Sequence, residues 1–271
     1  MRRLIFILPL MWGIACTGLD PDAAEEEITR LVEDEDHFVT EDISIDLAVT
    51  DSLAVDSARV VTRITLNTTF ASESLGIEFN TEFRKDTIRI VGDTATVQLL
   101  REYSGTMVST IEPSAGGSSK DITRDFGTER TQSAHYADEE GWGIVGCSFA
   151  EERSDTNITR IYCLVLDDSD TIRNSATISE LDSFPVLSSG KAYSLLLRTT
   201  ADTCDVVCFA KGADVVRFTP KENTEEDWTD RWEAEVTVGE EPLIIGVINR
   251  TSLGDESYPA DFDLWIIPLI E

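Results

Sequence analysis

The stretch Lys120 to Phe149, KDITRDFGTERTQSAHYADEEGWGIVGCSF, constrains the fold more than any other. It predicts two long strands joined by the acidic turn Ala137-Asp138-Glu139-Glu140-Gly141. Alternate side chains of a strand point to opposite faces, so parity separates the two sides. Ile122, Arg124, Phe126, Thr128, Arg130, Gln132, Ala134 and Tyr136 share one face. Thr123, Asp125, Gly127, Glu129, Thr131, Ser133 and His135 share the other. The first face carries the larger apolar groups and is predicted to look inward. It also carries Arg124, Arg130 and Gln132, which are costly to bury unless they are paired or face a wet cavity. Two readings follow. In one, Arg130, Gln132 and Tyr136 line a cavity for an anion or polar ligand. In the other, they pair with cross-strand carboxylates, which this chain has in abundance.

The chain has 271 residues, room for one large or two ordinary domains. Its hydrophobic content of 41% is enough for packed cores. With 52 acidic against 22 basic residues the net charge is −30. Such a surface repels phosphate backbones and anionic lipid headgroups, so a nucleic-acid partner is not expected.

Residues 1–16, MRRLIFILPLMWGIAC, read as an export signal. Arg2 and Arg3 form a basic start, and Leu4 to Trp12 an apolar stretch too short to span a bilayer. Cys16 follows Gly13-Ile14-Ala15, an arrangement that resembles a bacterial lipoprotein signal, in which the cysteine is lipidated. The alternative is an ordinary signal peptide cut near Ala15 or Gly18. Cleavage before Cys16 removes two arginines and no acid, so the exported part is more acidic than the whole. The location expected is the cell envelope, at the outer membrane or facing the periplasm, with membrane contact through the N-terminal lipid only.

Residues 17–22 read as a tether and 23–166 as a first domain. Asp22 is placed to cap an amphipathic helix that starts near Ala23 and buries Ile28, Leu31 and Val32. Residues 41–58 read as a weaker helical or irregular segment. Then Val60 to Phe70 reads as a strand, and Thr87 to Val91 with Thr94 to Thr110 as a hairpin turning at Gly92-Asp93. A helical region followed by long antiparallel strands is an α+β plan. The pattern of Arg130, Tyr136, the charged turn and Gly141-Trp142-Gly143-Ile144-Val145 resembles the nuclear-transport-factor-2-like family. That resemblance implies a cone, with helices packed on a bent antiparallel sheet and a ligand pocket inside it.

Residues 167–183 read as a linker and 184–271 as a second domain, with Ile161 to Leu166 belonging to either side. Strands are predicted at 192–198, 205–210, 215–219, 232–238, 243–248 and 262–267. Short strands with regular Gly and Pro punctuation point to an immunoglobulin-like β-sandwich.

Apart from Cys16, the cysteines are Cys147, Cys163, Cys204 and Cys208, an even number that suggests disulfides in an exported chain. Cys147 with Cys163 would staple adjacent strands. Cys204 and Cys208 would need a bend, since four extended residues span about 13 Å. No C-x-x-C, zinc-ligand set or EF-hand loop is present in the sequence, so neither a metal nor a cofactor is expected. His37 and His135 stand apart from any nucleophile signature. Asn67, Asn157 and Asn249 each open an N-x-S/T sequon.

Together these features point to an exported, lipid-anchored envelope protein with a non-catalytic role, binding an unknown protein or small ligand. The alternative is a small-molecule isomerase or dehydratase working in the cone, as the resemblance implies. Its candidate residues are Tyr103, Arg130 and Tyr136, with an acid not placed by the sequence.

Overall fold

The structure, a computed structural model, describes residues 21–34, 38–48, 59–83, 90–113, 118–138, 141–154, 159–167, 170–172, 175–200, 206–221 and 230–269. Cys16 and the export signal, His37, Asn157, Cys204 and most of the tether lie outside these residues. The chain opens with α1 (Pro21–Asp34). Five strands follow: β1 (Ser44–Ala48), β2 (Arg59–Phe83), β3 (Ile90–Pro113), β4 (Lys120–Asp138) and β5 (Trp142–Cys147). Next come β6 (Ala150–Ser154), β7 (Ile161–Leu166), β8 (Asp170–Ile172) and β9 (Ser179–Glu180). The C-terminal part holds β10 (Ala192–Thr199), β11 (Val206–Lys211), β12 (Val215–Arg217), β13 (Thr219–Pro220) and β14 (Arg231–Thr237). It ends with β15 (Leu243–Asn249), the short helix α2 (Arg250–Gly254) and β16 (Phe262–Ile267).

This is a nearly all-β architecture, 64% strand and 11% helical, and not an α+β cone. The reason lies in the pairing. One antiparallel sheet follows the order β1-β2-β3-β4-β6-β16-β15-β11-β12, with β5 and β9 attached beside β4. Its two ends approach each other, β1 lying against β12, so the sheet is a nearly closed barrel. A second sheet runs β13-β14-β10-β7-β8. The first sheet passes directly from β6 to β16, with Asp263 opposite Arg153 and Ile266 opposite Ala150. The expected linker at 167–183 therefore lies between two stretches of sequence that share one sheet.

Two apolar cores result. One fills the barrel, with Ile45, Leu66, Met107, Ile122, Phe209 and Phe262 among its members. The other lies between the sheets and beneath α1, and includes Ile28, Val97, Tyr136, Leu195, Trp232 and Trp265. Strands β11, β15 and β16 face both cores, which is why LIIGVIN and FDLWII are buried at every position. Two packed sheets in a β-rich chain are compatible with a β-sandwich.

Several local expectations meet the structure closely. Helix α1 buries Ala24, Ile28 and Val32. The six C-terminal strands form where alternation and turn residues place them, although they divide between two sheets. Others are corrected. Ser44–Ala48 is a strand and not a helix, burying Ile45 and Leu47 against the barrel while its polar residues face out. Gly92-Asp93 is no turn, because β3 runs through it with Asp93 opposite Thr81. Its composition suits a turn, but Asp93 pairs with Thr81 of β2 and Asp138 of β4, which keeps the chain extended. The second strand of the central hairpin breaks at Ser148-Phe149, so β5 and β6 pair in succession with β4.

Strand β2 changes face along its length. From Ile64 to Thr68 its even residues are buried, whereas beyond Thr68 it is Leu75, Ile77 and Phe79 that are half-buried. The switch follows an extra residue between Phe70, opposite Tyr103, and Ser72, opposite Glu102. A one-residue bulge inverts every later side chain.

Gly246 is the tightest point of the barrel core. A Cβ there would lie 2.2 Å from Phe209 Cζ and 2.8 Å from Leu264 Cδ2. Gly246→Ala is expected to lower stability by about 1–3 kcal/mol through overpacking, measured by urea unfolding.

Candidate functional site

The inward face of β4 follows parity as expected, with Ile122, Arg124, Thr128, Arg130, Gln132, Ala134 and Tyr136 all buried. Apolar residues occupy its two ends. Ile122 joins the barrel core, and Ala134 with Tyr136 joins the inter-sheet core. The polar residues between them form a belt at the junction of the two cores.

Arg130 sits at the centre, 2% exposed, against Glu152 at 0%. Strand pairing places Glu152 directly opposite Arg130. Arg130 Nε and Nη2 both donate to Glu152 Oε2, at 2.9 and 2.6 Å. Thr128 Oγ1 donates to the other carboxylate oxygen at 2.8 Å. Arg130 Nη1 donates to the carbonyls of Val39 and Glu41, at 3.2 and 2.8 Å. The guanidinium lies 4.1 Å from the centroid of the Tyr103 ring, a stacking geometry that favours a cation. Tyr103 donates its hydroxyl to the Thr40 carbonyl at 3.3 Å, and burial pushes that phenol above its ordinary range.

Gln132 completes the belt. Its Oε1 accepts from the Val39 amide at 2.9 Å, and its Nε2 donates to the Ser148 carbonyl at 3.2 Å. Arg130, Gln132 and Tyr103 therefore converge on one segment, residues 39–41, between α1 and β1. Phe38 belongs to the inter-sheet core and Val39 to the barrel core, so the chain crosses from one to the other at this clamp. Arg124 acts similarly lower down, donating from Nε to the Tyr258 carbonyl at 3.0 Å and from Nη2 to that of Asp255.

Of the four residues singled out by sequence, three are thus brought together, while Tyr136 packs in the apolar inter-sheet core. The reading as cross-strand ion pairs describes Arg130. The acid missing from the sequence reading is Glu152. Its signal was the hairpin's own parity, interrupted by the break at Ser148-Phe149. The described clefts lie elsewhere. One of about 640 Å³ is lined by His135, Ile144, Val145, Ile178, Glu180 and Asp182. Among the described residues no group of histidine, cysteine and carboxylate side chains is arranged to hold a metal.

Cys147, Cys163 and Cys208 are free, buried thiols, so the expected Cys147–Cys163 staple is not formed. The two cysteines sit in different sheets, on β5 and β7. Burial pushes the Cys147 thiol up to about 12 and Cys208 well above its ordinary value, leaving both unreactive. Asn249 caps α2 by accepting from the Thr251 amide at 2.9 Å, and its Nδ2 donates to Asp261 at 3.1 Å. Its sequon is used for structure.

A second buried polar group, unseen in the sequence, ties the two sheets together. Asp263 Oδ2 accepts the Ile161 amide at 2.8 Å, and Asp261 Oδ2 accepts the Thr159 hydroxyl at 3.1 Å. Both hold the entry to β7. Burial and the neighbouring Glu151 push the Asp263 carboxyl up to about 8, against the opposing pull of the Ile161 amide and Arg153. Glu151 in turn is held by Ser175, at 2.6 Å, and by Arg153.

Arg130→Ala strands Glu152 without its partner and should cost about 3–5 kcal/mol in urea unfolding. Asp263 binds its proton more tightly folded than unfolded, where a carboxyl titrates near ~4. Its contribution is therefore complete below that value and is lost as pH rises through about 8. The melting temperature should fall from pH 5 to pH 9, and Asp263→Asn should flatten that slope. Comparison with protein-family models, curated proteins and solved structures found no match for the chain.

Proposed function

We propose that this is an exported, lipid-anchored protein of the cell envelope that binds a partner without catalysing a reaction. Arg2 and Arg3, the apolar stretch Leu4 to Trp12 and Cys16 support the location. No described helix is long and apolar enough to cross a membrane.

The observation that carries the non-catalytic reading is the saturation of Arg130. All three of its side-chain nitrogens have partners within the protein, as do both polar atoms of Gln132. A general acid or base must reach a substrate proton within hydrogen-bond distance. Here the Glu152 carboxylate beside Arg130 already holds both the guanidinium and the Thr128 hydroxyl. These groups position the backbone at residues 39–41.

The anchor is tested by metabolic labelling with palmitate in a bacterial host. Wild type should take up label and fractionate with membranes. Cys16→Ser should lose the label and the membrane association, and labelling unchanged by that substitution overturns the anchor.

A further inference from the structure

Strand β1 pairs with β2 only from Arg63 to Asn67. Two further contacts continue that edge. The Thr68 amide donates to the Ile43 carbonyl at 2.9 Å, and the Phe70 amide to the Asp42 carboxylate at 2.9 Å. There the chain leaves, because the Arg130 and Gln132 clamp draws residues 39–41 inward. From Ser72 to Phe83, β2 remains paired with β3 on one side. Among the described residues no strand covers its other side. In an antiparallel strand every second residue turns its N–H and C=O away from the existing partner. Up to the irregularity between Thr81 and Phe83, about five residues of this segment thus present an open ladder.

Open edges of this length are normally blunted by lysine, proline or a covering element. The sequence from Thr69 to Phe83 contains no Lys, Arg or Pro. Its charges are Glu73, Glu78 and Glu82. Glu78 is exposed, and Glu41, Asp42 and Glu102 stand exposed nearby. Arg101, a cation beside this edge, is paired with Glu73. The row Leu75, Ile77 and Phe79 is half-buried and continues the apolar face of the sheet.

We propose that this edge of β2 takes an extended, cationic segment of a partner protein by strand addition. Main-chain pairing supplies the contact, alternate apolar side chains extend the row of Leu75 and Ile77, and alternate cations meet the acidic face. A second copy of the chain is disfavoured as occupant by its own charge of −30. The proposal deepens the binding reading above by naming its surface and its partner's chemistry. It is independent of the lipid, so the Cys16 experiment and the following one fail separately.

The probe is a synthetic ten-residue peptide of alternating valine and lysine, added to the full-length chain in nonionic detergent. Amide hydrogen exchange and a binding titration are read together. The peptide should slow exchange across Ser72–Phe83. Alternating valine and glutamate should bind at least about tenfold more weakly, because every pairing charge is reversed. Glu78→Lys should weaken the lysine peptide by about threefold, the scale of one exposed ion pair. A lysine peptide N-methylated at alternate residues keeps its charge but cannot form the ladder, and should give no protection. Unchanged exchange at saturating peptide overturns the proposal. So does equal binding of the methylated peptide, which means charge attraction alone. A concentration-dependent dimer with these amides already protected overturns it in favour of a second copy.

Discussion

The Arg130–Glu152 ion pair is the interaction on which the rest of the arrangement depends. Burying two charges costs several kcal/mol per ion, and only close geometry with further hydrogen bonds offsets it. Both conditions are met. Two guanidinium nitrogens reach one carboxylate oxygen, Thr128 satisfies the other, and two backbone carbonyls take the remaining nitrogen. Those carbonyls belong to the segment that carries the chain from one core to the other. The pair therefore specifies a crossing point more than it adds net stability. With it in place, α1 lies under the inter-sheet core and β1 closes the barrel.

The same logic recurs at Asp261 and Asp263. Here carboxylates accept main-chain amides and hydroxyls where β7 leaves for the second sheet. A chain with a large excess of acids has placed several of them where backbone donors need acceptors. Asp263 does so while buried beside Glu151, with Arg153 Nε 3.8 Å away, and burial with that like charge makes its neutral form the comfortable one. The excess negative charge on the surface and the acids inside are separate matters. The first governs what approaches the protein, and the second holds its two sheets in register.

Drawing residues 39–41 inward has an outward consequence. The strand that would have continued alongside β2 ends, and among the described residues β2 runs on with no strand along that side. A barrel that closes fully has no edges to manage. This one closes only where β1 meets β12, and the long hairpin of β2 and β3 carries its open side beyond that closure. The proposed binding edge and the structural clamp are thus linked through one segment of backbone.

Much of this was legible in the amino-acid sequence because it depends on period alone. Alternation placed β4 with its inward face, and it placed the C-terminal strands. The 3.6-residue period placed α1 with Ile28 and Val32 buried. Cross-strand pairing of Arg130 was also readable, since buried cations need acids. What period cannot encode is which distant strand lies alongside. Nothing local says that β6 joins β16, the pairing that puts residues 150–154 and 262–267 side by side in one sheet. The turn residues Gly92-Asp93 stay extended because β2 and β4 flank them, and Ser44–Ala48 is a strand because Arg63–Asn67 offers it an edge. Glu152 escaped notice because two residues of irregular backbone interrupt the parity that would have placed it. Local propensity settled the elements, whereas long-range pairing, whose loop-closure cost no local pattern reveals, settled the barrel, the clamp and the open edge.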